Sequence, residues 1–528
     1  MAVRHLRGPG LRRAASSRAG FVGLAAALYA AGALVATWPA LEHVGTHFLA
    51  EKEQSFGTEA TPGDHLQTGW NLWLFGDQLE HGRAPWLDPY SFQPEIKPRV
   101  VFPGLVFGLP YWPLFTLFGA VLAWNLFTLL TLAGAGGAAC VWLRALGLPR
   151  GAALAGGFAF ALAPYRVEQS TGHLLGPISL FLPLALLGIE LRRPLLAGAA
   201  IAAIPLAGQV HLALGAVPLF IAYAFVRGRG WRDAVPGTAA AVGAAKLVQH
   251  FVIKGSLHES GRSLAEVDKY SAHWSDFWSR HGHGETFVLL GWLTPLLALA
   301  GLVLLVLERR YGLAAFLAAA AAIPIAFALG TNLPTYELMR TVVPQLKVAR
   351  VPERLLPIAC LALAALLAFA VTRARPWLIV VVLALVAVDL RANVFGSAQA
   401  DQGNRAYAIL RAAPPGRLLD VPVFLPDVHL NSTYLYYDMQ ARRERPTGYS
   451  TTAPAAADAT VRELRPVNCG FGPVRMLSRW GIRYVAMHHG FYDAFGSRCE
   501  RIATTALRTA GFRQLAKDGD VTIFSRPS

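Results

Sequence analysis

The chain has 528 residues, of which 54% are hydrophobic and only 15% charged, with a mean hydropathy of +0.40, so it does not divide into several ordinary soluble domains. The formal charge of +16 would suit a nucleic-acid partner in a soluble protein. Here the arginines sit mainly in short connections between apolar runs, a pattern that orients a chain in a membrane and excludes nucleic acid as the partner.

Zinc-type cysteine pairs and a P-loop are absent from the sequence, and the glycines fall in small-residue patches such as GAGGAA that suit close helix packing, so nucleotide binding is set aside. Phe21 to Leu41, Val121 to Leu143, Thr286 to Leu307 and Leu355 to Val371 are near or above the roughly 17 to 25 residues that cross a bilayer. The expected fold class is an α-helical polytopic membrane protein.

Residues 1–20 carry Arg4, Arg7, Arg12, Arg13 and Arg18 with no acid, which places them in the cytoplasm. The apolar run that follows is too long for a signal-peptide core. The loop 42–99 then lies outside, with Glu42, Glu51, Glu53, Glu59, Asp64, Asp77, Glu80, Asp88 and Glu95 against Lys52, Arg83, Lys97 and Arg99. Inside it Thr61, Pro62 and Asp64 form a helix-start signal of N-cap, first-turn proline and capping acid. Asp64, Gln67, Asn71 and Gln78 then fall on one side of the helix, and Leu66, Trp70, Trp73 and Leu74 largely on the other. This predicts a helix lying along the membrane surface with its polar side free for substrate. Asp64 is either a helix cap or a catalytic acid, and local pattern does not choose between them.

Residues 101–119 are apolar but carry Pro103, Pro110 and Pro113, and are expected to be re-entrant or interfacial. Ten further spans are predicted at 121–143, 152–165, 174–191, 195–210, 212–226, 236–253, 286–307, 313–329, 355–371 and 377–390, making about eleven with the first. Every inner connection then carries arginine: Arg144 and Arg150, Arg192 and Arg193, Arg227, Arg229 and Arg232, Arg309 and Arg310, Arg373 and Arg375. The weak step is 195–226, where one broken helix in place of two would invert everything after it.

An odd number of spans leaves 391–528 outside, as a small α/β domain following the membrane domain 21–390. Arg417 to Val423 and Ile482 to Met487 are predicted strands, Ile502 to Ala510 a helix, and Phe512 to Leu515 with Val521 to Phe524 a closing pair. Cys469 and Cys499 both fall here and are either a disulfide or two buried thiols, whereas Cys140 and Cys360 lie within spans.

Three stretches resemble the GT-C superfamily of membrane glycosyltransferases, in particular bacterial members with a C-terminal exoplasmic domain. They are Gly63-Asp64 with Gln67, Trp70 and Trp73; Ala163-Pro164-Tyr165-Arg166 with Gln169 and Gly172-His173-Leu174; and Leu346 to Arg354. The resemblance implies a transferase that takes sugar from a polyprenyl-phosphate donor, with Asp64 as the catalytic acidic residue of the first outer loop. The chain lacks the adjacent Asp-Glu pair of protein O-mannosyltransferases.

Sugar transfer from a lipid phosphate to a hydroxyl needs a base for the acceptor proton and cations for the departing phosphate, at one membrane face. Arg340, Lys347, Arg350 and Arg354 crowd a predicted outer connection against Glu337 and Glu353 only. Lys347, Arg350 and Arg354, with Arg166, are the candidates to hold donor phosphate; the alternative for the outer arginines is lipid headgroups or Glu353. Gln67, Asn71, Glu168 and His173 are candidate substrate contacts, His173 being equally an ordinary hydrogen-bonded histidine. The connection 254–285 carries His258, Glu259, Asp268, His273, Asp276, His281, His283 and Glu285, so a divalent metal is conceivable, although the spacing matches no metal motif. A solvated lid hinged at Gly282 and Gly284 is the other reading.

The sequence therefore predicts an inverting glycosyltransferase of the bacterial cytoplasmic membrane, with membrane lipids around it and an exoplasmic lipid, glycan or protein as acceptor. A lipid or glycolipid transporter is the rival, although no internal repeat is visible. An inactive scaffold is a third reading.

Overall fold

The computed structural model describes residues 9–94, 99–229, 231–281, 286–470, 474–494 and 497–527. A helical bundle carries most of the chain, and four of its helices are long and apolar enough to cross a membrane: Arg18–Thr37, Pro103–Ala145, Tyr311–Ala328 and Pro352–Ala370. Leu175–Glu190, Pro194–Leu206, Val210–Val226, Leu293–Leu307 and Pro376–Asp389 are shorter apolar helices of the same bundle. Leu356–Ala370 is buried along its length and packs against Arg150–Ala161, Leu293–Leu307 and Tyr311–Ala328. Close approach there depends on Gly301, where a Cβ would fall 1.9 Å from the Leu366 carbonyl oxygen.

The uncertain stretch 195–226 is two helices. Arg227 Nε lies 2.6 Å from Glu190 Oε1, and the Tyr223 hydroxyl donates to the same oxygen at 2.8 Å. Glu190 closes the helix before Pro194–Leu206, and Arg227 follows Val210–Val226, so the pair runs out and back as an antiparallel hairpin. The other arginine-bearing connections gather at this end. Trp142 donates to Tyr223, Arg150 lies over the Phe21 ring, Arg310 lies over Phe369, and Arg373 pairs with Glu308. Trp231, Tyr311 and Trp377 are exposed beside them, and Trp38, Trp274, Trp278 and Trp292 are exposed at the opposite end. Exposed Leu296 and Val380 belong to helices that run between these levels, the arrangement of aromatic belts around a lipid-facing band.

Residues 101–119 are helical from Pro103, within an element that runs to Ala145 and is interrupted at Gly119, where φ is 74°. Forty-three residues would extend about 65 Å, twice a bilayer core, so the break lets the part after Gly119 cross while the part before it turns aside. That first part packs along Asp64–Glu80. A Cβ at Gly104 would meet the Asn71 carbonyl at 2.1 Å, one at Gly108 the Phe75 side chain at 2.4 Å, and one at Gly76 the Trp112 ring at 2.5 Å. Asp64–Glu80 is consequently no free surface helix: Leu66, Trp70, Trp73 and Leu74 are buried, and so are His65, Thr68, Asp77 and Gln78. Ser432–Gln440 packs against it as well.

The C-terminal stretch builds a four-stranded mixed sheet. Arg417–Val421 pairs parallel with Ile482–His488, which pairs antiparallel with Val521–Ser525, which pairs antiparallel with Arg513–Asp518. Alternation gives it two apolar faces. Leu419, Val421, Val485, Met487 and Phe524 pack in one cluster with Ala503 and Leu507 of the helix Ser497–Thr509, and Leu418, Tyr484, Ala486 and Ile523 join the core that continues into the bundle. A second small sheet pairs His47–Ala50 with Gly396–Gln399, tying the first loop to the chain as it leaves the last bundle helix. Cys469 and Cys499 form a disulfide, and Cys140 and Cys360 are buried free thiols.

Candidate functional site

The helix starts at Asp64 itself, with Gly63 as N-cap and no side-chain cap bond, two residues later than the sequence signal suggested. Thr61 caps nothing because it is held elsewhere. Its amide donates to the Gln399 carbonyl at 3.0 Å, and its hydroxyl accepts from the Gln399 amide at 3.1 Å. Ser432 accepts from the Gly63 amide at 2.9 Å, and the Thr433 hydroxyl donates to the Ala60 carbonyl at 3.1 Å. With its backbone fixed by the C-terminal stretch, the Asp64 carboxylate turns away from its own helix.

His173 Nε2 lies 2.6 Å from Asp64 Oδ2, His429 Nε2 lies 3.3 Å from Oδ1, and the Tyr449 hydroxyl donates to Oδ1 at 3.2 Å. Glu53 stands behind His429, 4.0 Å from its Nδ1. The Asp64 side chain keeps 30% exposure, so the cluster opens to solvent. Burial pushes the Asp64 carboxyl up, but His173 and His429 outweigh it and hold the group well below the usual carboxylate range. Burial pulls His429 down, and Asp64 with Glu53 reverses this and raises it. The neighbouring His65, buried and beside His429, falls to about 3 and stays neutral.

Gly172 makes the contact with His173 possible, since a Cβ there would meet Asp64 Cβ and the His65 amide at 3.0 Å. The Thr68 hydroxyl donates to the Gly172 carbonyl at 2.7 Å, fixing the turn against the helix. Gln67 Nε2 donates to the Tyr449 carbonyl at 3.4 Å, beside the cluster. Asn71 is half-buried farther along the helix, with its carbonyl against Gly104. Glu168 is buried, and its carbonyl accepts from the Thr171 amide and hydroxyl.

Of the predicted phosphate-binding cations, Arg350 is felt at the Asp64 cluster through the Tyr449 phenol. Its guanidinium lies 4.8 Å from the Tyr270 ring centre, and its charge acts on the Tyr449 phenol, on Arg262 and on His258. The Lys347 carbonyl accepts from the Arg262 amide at 2.8 Å while its side chain is exposed, and Arg340 donates to the Arg262 carbonyl. Arg354 is half-buried in the turn Pro352–Leu355 that opens the central helix, next to the buried Glu353. Arg166 has a different place from the expected one. It is fully buried in the bundle, with Nε donating to Ser179 at 2.8 Å and Nη1 and Nη2 to the Ala161 and Thr131 carbonyls at 3.0 Å. Those bonds tie three helical segments together and leave the guanidinium turned from the Asp64 opening.

Within 254–281, Glu259 accepts from the Gly255 amide and Asp276 from the His273 amide, while Asp268 accepts from the Thr331 hydroxyl and Arg280 donates to the Val388, Asp389 and Arg391 carbonyls. Gly282, His283, Gly284 and Glu285 lie outside the described residues. Among the described residues no three His, Cys, Asp or Glu side chains gather as metal ligands.

A second polar group is wholly buried below the site. His488 Nδ1 lies 2.5 Å from Glu59 Oε2, and Tyr407 donates to Asp420 at 3.1 Å. Arg445 pairs with Asp420 at 2.9 Å and with Asp438, which accepts from the Trp70 indole at 3.1 Å. Burial alone would lower His488, but Glu59 and Asp420 raise it to about 9. This group locks the sheet to the segment carrying Asp64.

His429, Tyr449 and this network were missed by sequence reading. Tyr449 stands 385 positions from Asp64, His488 429 from Glu59 and Asp438 368 from Trp70, with nothing beyond their residue types to mark them, and only chain folding brings them together.

No family model matches the chain, and no curated protein matches it in sequence. Solved structures do match in fold. The arabinofuranosyltransferase AftD from Mycobacteria aligns at a TM-score of 0.55 and 16% identity, over 95% of this chain and 41% of that one. The oligosaccharyltransferase AglB from Archaeoglobus fulgidus, in complex with an inhibitory peptide and a dolichol-phosphate, aligns at 0.51 and 11% identity, over 96% and 74%. The chain spans about two fifths of the AftD chain it matches. The chain shares its fold with these two solved transferases.

Proposed function

We propose that the protein is an integral membrane glycosyltransferase that moves a sugar from a polyprenyl-phosphate carrier to an exoplasmic lipid, glycan or protein. The observation that carries this reading is the Asp64 carboxylate, kept ionised between His173 and His429, opposite the arginine-rich end of a GT-C fold. Asp64 accepts the acceptor's hydroxyl proton as that oxygen attacks the anomeric carbon. The attack inverts the carbon and releases the lipid phosphate. Arg350, with Lys347 and Arg354 on the same connection, offsets the phosphate charge. The test is transfer by the full chain in lipid nanodiscs from polyprenyl-phosphate sugars, guided by the lipid-linked sugar that accumulates in cells lacking the protein. Absence of any such accumulation, with no transfer from the same sugars in vitro, would remove the reading.

Arg350→Gln is expected to weaken donor affinity by about tenfold or more, since an amide has neither the charge nor the paired donors of a guanidinium. Turnover at saturating donor should change less. An unchanged donor affinity would move the phosphate site elsewhere on the 340–354 connection.

Eleven crossings with a cytoplasmic N-terminus put the Asp64 site and residues 391–528 on the exoplasmic side of the cytoplasmic membrane. The clustered arginines and the two aromatic belts support that orientation. Alkaline phosphatase joined after Ser528 is expected to be active. An inactive fusion beside a working cytoplasmic reporter would reverse the orientation.

A further inference from the structure

At the C-terminal end of Asp64–Glu80, thirteen residues and so about 20 Å along the helix from Asp64, lies a second cavity of about 190 Å³. Trp73, Trp112, Phe115, Asp77, Glu80 and Arg442 line it, with Thr116 at the edge. Each wall is fixed. Trp112 packs on Gly76, and its indole N–H donates to Glu80 Oε1 at 2.7 Å. Asp77 Oδ2 accepts from the Tyr90 hydroxyl and from Gln78 at 2.8 Å, while its Oδ1 pairs with Arg442. The Arg442 guanidinium lies 5.6 Å from the Trp73 ring centre and 3.9 Å from Glu80 Oε2.

We infer that this cavity is a saccharide subsite that holds one neutral sugar ring of a glycan acceptor while a more distant unit of the same glycan reaches Asp64. Indole faces carry negative quadrupole charge and attract the C–H faces of a sugar ring, and the Trp112 indole bounds this cavity, Trp73 being stacked by Arg442 and Tyr90. The carboxylates and the guanidinium supply acceptors and donors for ring hydroxyls, matching the small set of placed polar groups that orients a ligand in an otherwise apolar site. Charge decides against a phosphate group. Asp77 and Glu80 face it with Arg442 alone to offset them, so an anion would be repelled where a neutral polyol is not. The volume suits a single ring.

The role as an acceptor subsite rests on the transferase reading, but binding does not, so the two are tested separately. The full chain in nanodiscs free of sugar detergents is titrated with methyl glycosides of neutral pyranoses and furanoses and their short oligomers, and saturation-transfer NMR reports the bound ring. At least one glycoside is expected to bind. Trp112→Ala is expected to weaken it about tenfold. Glu80→Gln, at an exposed side chain whose loss does not threaten folding, is expected to weaken it severalfold. Asp64→Asn should leave binding of the single glycoside unchanged. The inference is overturned if no glycoside binds, if both cavity variants bind like wild type, or if glycerol phosphate competes better than the neutral sugars. Binding that survives in a protein without transferase activity would sink the transferase reading and leave the subsite standing.

Discussion

Asp64→Asn is expected to lower sugar transfer by about 10² to 10⁴-fold, the usual scale for loss of a positioned acid or base. Donor affinity and folding should be unchanged. The amide keeps the volume of the carboxylate and sits at a helix start where no cap bond is lost, so a purely structural role predicts little change. It cannot accept the hydroxyl proton, and it removes the charge that raises His429, whose ring should then titrate lower. Histidine NMR on the same variant separates those effects, because the His429 shift follows from the geometry and lost turnover follows only from catalysis. Near-normal turnover would remove Asp64 as the base. Glu59 and Asp77 are poor replacements, since Glu59 is enclosed with His488 and Asp77 is committed to Arg442 and Tyr90.

Arg445→Met is expected to cost about 3 to 5 kcal/mol of stability, the scale for breaking a buried ion pair and leaving its partner charged. Asp438 would lose its counter-ion and Asp420 would keep only His488 in a site without solvent. Burial already pushes Asp438 up to about 6 with the guanidinium present, so its removal should leave that carboxyl protonated at neutral pH and the Trp70 contact weakened. A thermal-shift measurement on the purified protein checks it, and a melting point equal to wild type would show the network to be dispensable. The same network predicts a pH effect. His488 has a folded-state value of about 9, raised above the ordinary 6.5, so its stabilising contribution is complete below about 6.5 and is lost as pH rises through about 9. A melting temperature that stays flat across that interval would show that the ring does not bind its proton more tightly in the folded protein.

Both expectations depend on long-range contacts, which explains how unevenly the sequence disclosed them. Asp64 and His173 were visible as polar residues beside apolar runs, and Cys469 and Cys499 as the cysteines outside the bundle. Arg166 looked like a free cation for the same reason that Arg350 did, since both are basic residues at the end of an apolar run. A sequence does not show that Ser179, Thr131 and Ala161 fill every arm of one and that the Tyr270 ring lies against the other. The helix Asp64–Glu80 looked amphipathic because its polar residues do share a side. Tyr449 reaches over that side to Gln67 and Asp64, and the Ser432–Gln440 helix covers the Trp70 side.

The sequence by itself determined the bundle, the sidedness of its arginines and the strands of the C-terminal sheet. These follow from hydrophobic length and from period-two alternation, which are local properties of the chain. Only the tertiary structure decided that residues 195–226 are a hairpin, because that rests on Glu190 meeting Arg227 across 37 positions. Only it decided what surrounds Asp64. A carboxylate's ionisation and direction are set by whichever groups reach it through space, and here His429 and Tyr449 arrive from a sheet-bearing stretch more than 360 residues away.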